Sequence, residues 1–89
     1  MARRLFTVTD RFLIQGRGLV LVPGILPVED ERFRAGDPLM LKRPDGLEIM
    51  TTIGGIDFLR PNPNHVVPVM LKDLGKDDVA VGTEVWSVD

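Results

Sequence analysis

Residues that support catalysis or metal binding are scarce in this chain. It contains no cysteine, which removes any thiol nucleophile or thiolate metal site, and its only histidine is His65. A phosphate-binding loop needs the string Gly-x-x-x-x-Gly-Lys-Ser/Thr, which does not occur, so we expect neither binding nor hydrolysis of GTP. We therefore expect no enzyme activity, no metal ion and no cofactor.

The chemistry that remains is binding, and the segment Gly16-Arg17-Gly18 is its clearest candidate. One interpretation is a tight hairpin whose glycines take positive φ, with Arg17 exposed at the tip. The other is that Arg17 contacts phosphate groups together with Arg11, because a guanidinium can bind two oxygens at once. Arg3 and Arg4 are close enough in sequence to extend the same basic patch.

Length and composition indicate one small domain that spans residues 1–89. Hydrophobic residues make up 44% of the chain, which is enough for a core. The net charge of −2, from 11 basic and 13 acidic side chains, disfavours a non-specific nucleic-acid binder, because such domains are usually basic. No apolar run approaches the roughly 20 residues of a membrane helix. The lack of cysteine fits a reducing compartment, so we expect a cytoplasmic protein that does not contact membranes.

Turn-forming residues divide the chain into short runs rich in Val, Ile, Leu, Phe and Thr, a pattern typical of a small all-β barrel or sandwich. In the first predicted strand, residues 6–15, the apolar residues Phe6, Val8, Phe12 and Ile14 occupy even positions, which predicts that they point inward. Asp10 interrupts this set. We expect either a bulge there or a carboxylate bonded to backbone donors.

Further strands are predicted for residues 19–22, 39–42, 47–53, 66–71 and 84–88. The pair Gly54-Gly55 predicts a bend where a sheet turns a corner. Residues 76–79 are compatible with one helical turn, which Gly82 ends in a left-handed conformation.

Three segments, in this order, resemble domain 2 of the translational GTPases such as elongation factor Tu. They are residues 10–20 (DRFLIQGRGLV), residues 33–39 (FRAGDPL), and residues 54–58 (GGIDF) followed by 67–83. The resemblance covers nearly the whole chain. It implies a small closed six- to seven-stranded antiparallel barrel.

In elongation factor Tu this domain holds the terminal adenosine of aminoacyl-tRNA in an apolar slot faced by an acidic residue. By motif position, the resemblance implies that Ile14 and Val20 form the apolar wall. It makes Asp57 the acid, one methylene shorter than the usual Glu, and either Leu71 or Met70 the far wall. The alternative is that Ile14, Val20 and Leu71 are core residues.

Two functions follow as expectations. The first is a non-catalytic binding module that contacts RNA or a translation-associated protein. The second is a structural or interaction subunit that docks to itself, forming a homo-oligomer, or to a larger protein, without nucleic acid. In the second case, apolar side chains must be exposed for the partner. The candidates are Leu5, Leu13, Leu19, Leu21 and Trp86.

Overall fold

Seven strands make up most of the regular structure in the computed structural model, which describes residues 3–26, 33–55 and 67–88. The strands are β1 (Arg4–Thr7), β2 (Asp10–Ile14), β3 (Gly18–Ile25), β4 (Pro38–Lys42), β5 (Glu48–Thr52), β6 (Val67–Leu71) and β7 (Glu84–Ser87). One 3-10 turn spans Lys76–Asp78, and no α-helix occurs in these ranges. Nor does any helix there have the length and apolar character needed to cross a membrane. The all-β prediction is confirmed.

The strands form two antiparallel sheets, one of four strands in the order β1-β7-β4-β5 and one of three in the order β2-β3-β6. Alternation along each strand sends one set of side chains into the core between the sheets. The fully buried members include Leu39, Leu41 and Val85 from the four-stranded sheet. Leu19, Leu21, Val69 and Leu71 are their counterparts in the three-stranded sheet.

The first predicted strand is two strands that belong to different sheets. β1 pairs with β7 and β2 pairs with β3, and the chain bends between them at Val8 and Thr9. Thr9 and Asp10 both lie opposite Val22: the Thr9 amide donates to the Val22 carbonyl at 2.9 Å, while Asp10 is the register partner of Val22. The carboxylate of Asp10 also accepts a hydrogen bond from the Arg11 amide at 2.8 Å, as the sequence predicts.

Because Thr9 and Asp10 together lie opposite the single residue Val22, the strand contains a β-bulge, and the side chains that follow it point to the opposite face. Val8 is buried, but Phe12 is 52% exposed and Ile14 is 42% exposed. The prediction that Phe12 and Ile14 point inward is therefore wrong, because a shift of one residue moves every later side chain to the other face.

Two glycines allow close approaches of the backbone that a side chain would block. A Cβ added to Gly18, whose φ is +142°, would lie 2.5 Å from the carbonyl oxygen of Leu71. A Cβ on Gly54 would lie 2.6 Å from Cγ of Lys72, and the Gly54 amide donates to the Met70 carbonyl at 2.7 Å. The end of the β5 segment therefore crosses β6 where the sequence predicts a corner.

The predicted helical turn near the C-terminal end of the chain is confirmed as the 3-10 turn Lys76–Asp78. The Gly75 amide donates to the Asp78 carboxylate at 2.7 Å. Gly82 has the expected positive φ of +95°, but the turn ends at Val79, in extended backbone, and not at Gly82. On this side the Val8 amide donates to the Thr83 carbonyl at 2.8 Å. The turn thus packs beside the bend between β1 and β2.

Candidate functional site

The outer side of the three-stranded sheet carries a group of apolar side chains. Residues paired across antiparallel strands share a face, and the register pairs Phe12 with Val20 and Val20 with Met70. Ile14 lies two residues beyond Phe12 on the same side of β2, opposite Gly18. We call Phe12, Ile14, Val20 and Met70 the apolar face. Its two β2 residues are exposed, and Val20 and Met70 are half-buried.

Glycines lie beneath the side chain of Met70. The Cγ of Met70 is 3.3 Å from the position that a Cβ on Gly18 would occupy, and its Cε is 2.8 Å from that position on Gly55. The thioether therefore extends along bare backbone and forms one side of the apolar face. An unbranched thioether adapts readily to the shape of a partner.

The structure separates the apolar residues that the sequence proposes for a pocket. Ile14 and Val20 lie on the apolar face, whereas Leu71 pairs with Leu19 on the opposite side of the sheet and is fully buried. Of the two candidates for the far wall, Met70 is the one that shares a face with Val20. Asp57, the proposed acid, lies outside the described residues.

Arg17 lies at one end of the apolar face, on the turn that joins β2 to β3. The Arg17 amide donates to the Ile14 carbonyl at 2.9 Å, and Gly16 has φ +80°, the value that a type II turn requires at its third position. The predicted tight turn is confirmed. Within the described part of the chain, the exposed Arg17 side chain has no hydrogen bond or ion pair.

Arg11 does not join Arg17. It is the register partner of the buried Leu21, and its Nε donates to the carbonyl of Val79 at 2.7 Å. The Arg11 side chain therefore ties β2 to the residue that follows the 3-10 turn. Its guanidinium is oriented by this contact, and it lies on the other side of the strand from the apolar face.

The remaining members of the predicted basic patch lie on the four-stranded sheet. Arg4 belongs to β1 and pairs in register with Trp86, and its Nη1 is 3.7 Å from the carboxylate of Glu84. The amide of Ser87, the last residue of β7, donates to the Arg3 carbonyl at 2.9 Å, and the Arg3 amide donates to Oγ of Ser87 at 2.9 Å. Arg3 and Arg4 thus lie together on the four-stranded sheet, apart from Arg11 and Arg17, and Arg17 is the one beside the apolar face.

The chain matches none of the protein-family models, curated proteins or solved structures with which it was compared. Among the described residues, no three His, Cys, Asp or Glu side chains come together as metal ligands.

The apolar residues proposed as an exposed interface divide into two classes. Leu5, Leu19 and Leu21 are core residues, so the prediction that they are exposed is wrong for these three. Leu13 pairs with Leu19 on the inner side of the sheet, yet it is 60% exposed. The reason is that β2 is an edge strand of the three-stranded sheet. Trp86 is half-buried on the outer side of the four-stranded sheet, as its neighbour Val85 points inward.

Sequence reasoning missed Phe12 as a surface residue. The signal was present: Asp10 interrupts the alternation, and a bulge at that point reverses the side on which Phe12 and Ile14 emerge. Applied consistently, the predicted bulge would have placed both residues on the outer face.

Proposed function

We propose that this chain is a non-catalytic binding module that holds its partner against the apolar face. The observation that carries the proposal is that Phe12 and Ile14 are exposed next to Val20 and Met70, on one side of one sheet. Apolar groups gathered on a surface mark binding sites more often than single exposed residues do. A regular sheet also holds these groups in fixed positions, which lowers the entropy lost on binding.

We further propose that the module is related to domain 2 of the translational GTPases and that its two sheets close into one barrel. Support comes from the two places where the sheets are connected, one by a continuous strand and one by a backbone bridge. At one seam β1 and β2 are successive parts of a bent strand that pairs with β7 and then with β3. At the other, Gly55 and Met70 form an antiparallel bridge between the β5 and β6 segments.

The partner that fits this surface is the unpaired end of an RNA. A base offers a flat apolar ring to Phe12, Ile14 and Val20, and stacking of this kind contributes ~1–3 kcal/mol per base. Arg17 lies at the end of the same face, where its guanidinium can bind a phosphate oxygen. The resemblance adds Asp57 as the acidic group toward the ligand.

The second candidate is a structural or interaction subunit that docks to itself or to a larger protein. It is favoured by the net charge of −2 and by the separation, within the described residues, of Arg17 from Arg11 and from Arg4. In that case either the apolar face or the exposed Leu13, which lie on opposite sides of β2, supplies the interface.

A titration of isotope-labelled protein with short single-stranded RNA separates these candidates. We expect amide shifts at Phe12, Ile14, Arg17 and Val20, and a dissociation constant that rises about tenfold in Phe12→Ser. The matched control is Leu13→Ser, which removes a slightly more exposed apolar group (60% against 52%) from the same strand but from its other side. RNA binding is rejected if no shifts arise on the apolar face. Concentration-dependent dimers that Phe12→Ser disrupts would support the interaction subunit instead.

A further inference from the structure

The outer edge of β5 presents backbone groups to the outside of the four-stranded sheet. β5 lies at the end of the order β1-β7-β4-β5, and β4 is its neighbour on the other side. The Ile53 amide donates to the Asp37 carbonyl of the β4 segment at 2.9 Å. Because antiparallel residues alternate between bonding to one neighbour and to the other, Glu48, Met50 and Thr52 direct their amides and carbonyls away from β4.

These backbone groups are available to another strand. Within the described residues, no hydrogen bond reaches the outward amides and carbonyls of Glu48, Met50 and Thr52. Pairing with β6 begins only at Gly54 and Gly55, which lie beyond the end of β5. A row of unpaired N–H and C=O groups at a sheet edge is a template for pairing with a further strand.

The other edge strands carry features that hinder the addition of a strand. β1 has a register shift between Arg4 and Phe6, and β2 begins at the bulge formed by Thr9 and Asp10. β6 contains Pro68, which has no amide hydrogen. β5 contains neither proline nor bulge, and its register with β4 is unbroken over its whole length. Bulges and prolines are the means by which proteins protect an edge, so β5 is the unprotected one.

The side chains of β5 also favour an additional strand at this edge. The register aligns Arg4, Trp86, Met40 and Met50 in one row across the outer face of the sheet. Trp86 and Met40 are half-buried, whereas Met50, at the end of the row, is 59% exposed. A strand paired with β5 would continue this row and remove apolar surface of Met50 from water.

The edge of β5 is complementary to itself. A twofold axis at Met50 places this residue opposite Met50 of a second copy, and it places Glu48 opposite Thr52 of the second copy. Every residue with outward backbone groups then forms a hydrogen-bonded antiparallel pair, and no like charges lie opposite each other. A twofold axis at Glu48 would instead oppose two carboxylates. Self-complementarity of this kind is what an interface between two identical chains requires.

We propose that β5 pairs with β5 of a second copy, so that two four-stranded sheets join into one continuous antiparallel sheet. The interface consists mainly of one short strand from each copy, so we expect a weak dimer with a dissociation constant on the order of 0.1–1 mM. The apolar face lies on the other sheet. The proposal is therefore independent of the function proposed for that face.

The test is the oligomeric state of the intact chain, followed by sedimentation equilibrium and by amide shifts from about 20 μM to about 2 mM protein. We expect a dimer at high concentration. The amides of Glu48, Met50 and Thr52 should shift saturably, and those of Ile49 and Thr51, which point toward β4, should shift less. A chain that stays monomeric at the highest concentration would overturn the proposal. So would a dimer whose amide shifts lie on the apolar face.

Opposite charges at one position test the register. Thr52 faces Glu48 of the second copy, so Thr52→Lys should tighten the dimer about fivefold and Thr52→Glu should weaken it by a similar factor. Gln15→Lys and Gln15→Glu are the matched controls, since they change the net charge equally at an exposed residue of the β2–β3 turn. Phe12→Ser should leave the dimer unchanged. Equal effects at Thr52 and Gln15, or a dimer lost in Phe12→Ser, would contradict the pairing through β5.

Discussion

Both sheets carry exposed apolar side chains on their outer faces, Met50 on the four-stranded sheet and Phe12 and Ile14 on the three-stranded sheet, but the polar groups around them differ. On the four-stranded sheet, Lys42, Glu84 and Arg4 surround Trp86 with ion pairs, a cation–π contact and an indole hydrogen bond. On the three-stranded sheet, Phe12 and Ile14 are exposed without such polar neighbours in register. Burial in the shared core explains both inner faces, but it does not explain why the outer apolar residues of one sheet have charged neighbours while Phe12 and Ile14 have none in register. That difference is the reason we propose the three-stranded sheet as the binding face.

The substitution with the largest expected effect on the three-stranded sheet is Gly18→Ala. The new Cβ would meet the Leu71 carbonyl at 2.5 Å in a backbone conformation that L-residues avoid, and it would also press on Met70. We expect a loss of about 3–5 kcal/mol in the free energy of unfolding, measured by urea denaturation. Gly16→Ala is the control. Its Cβ meets nothing within 4 Å, so only the cost of its φ of +80° remains, about 1 kcal/mol.

A second prediction uses neighbouring residues on β6 that point to opposite sides. Leu71→Ala opens a cavity in the core and should cost about 2–4 kcal/mol of stability. Met70→Ala removes a half-buried side chain from the apolar face and should cost less than about 1.5 kcal/mol, while it weakens partner binding. Urea denaturation and the RNA titration together test this division. Equal losses of stability in the two variants would contradict the placement of Leu71 in the core and of Met70 on the outer face.

Much of the fold could be predicted because its causes are local. Alternation of apolar residues and the turn formers locate the strands, and Gly16, Gly18 and Gly82 have the positive φ that their turn positions imply. The faces of β2 are mispredicted because one extra residue near Asp10 reverses them; the interruption at Asp10 signals this bulge, and the pairing with Val22 shows that it is present. The Arg11 side chain donates a hydrogen bond to the carbonyl of Val79, which is distant in sequence, so no local pattern predicts that contact.

The four-stranded face can be tested with Trp86→Phe. Phenylalanine keeps an aromatic ring but loses the hydrogen bond to Glu84 and weakens the contact with Lys42. We expect a loss of about 1 kcal/mol in stability and no change in RNA binding. The control is Met50→Leu on the same face, which is exposed and should change stability by less than about 0.5 kcal/mol. Loss of RNA binding in Trp86→Phe would indicate that RNA binds the four-stranded sheet instead.

The smallest expected effect compares one arginine from each face. Neither Arg17→Gln nor Arg4→Gln should alter stability by more than about 0.5 kcal/mol, because Arg17 has no partner among the described residues and the 3.7 Å pair of Arg4 with Glu84 is exposed. Their effects on RNA binding should differ. If Arg17 binds a phosphate, Arg17→Gln should weaken binding regardless of base sequence and reduce its dependence on salt by about one phosphate contact. Arg4→Gln removes the same formal charge and should leave that salt dependence unchanged. Equal effects of the two substitutions on RNA binding would show that binding depends only on net charge. The proposed contact between Arg17 and a phosphate beside the apolar face would then be wrong.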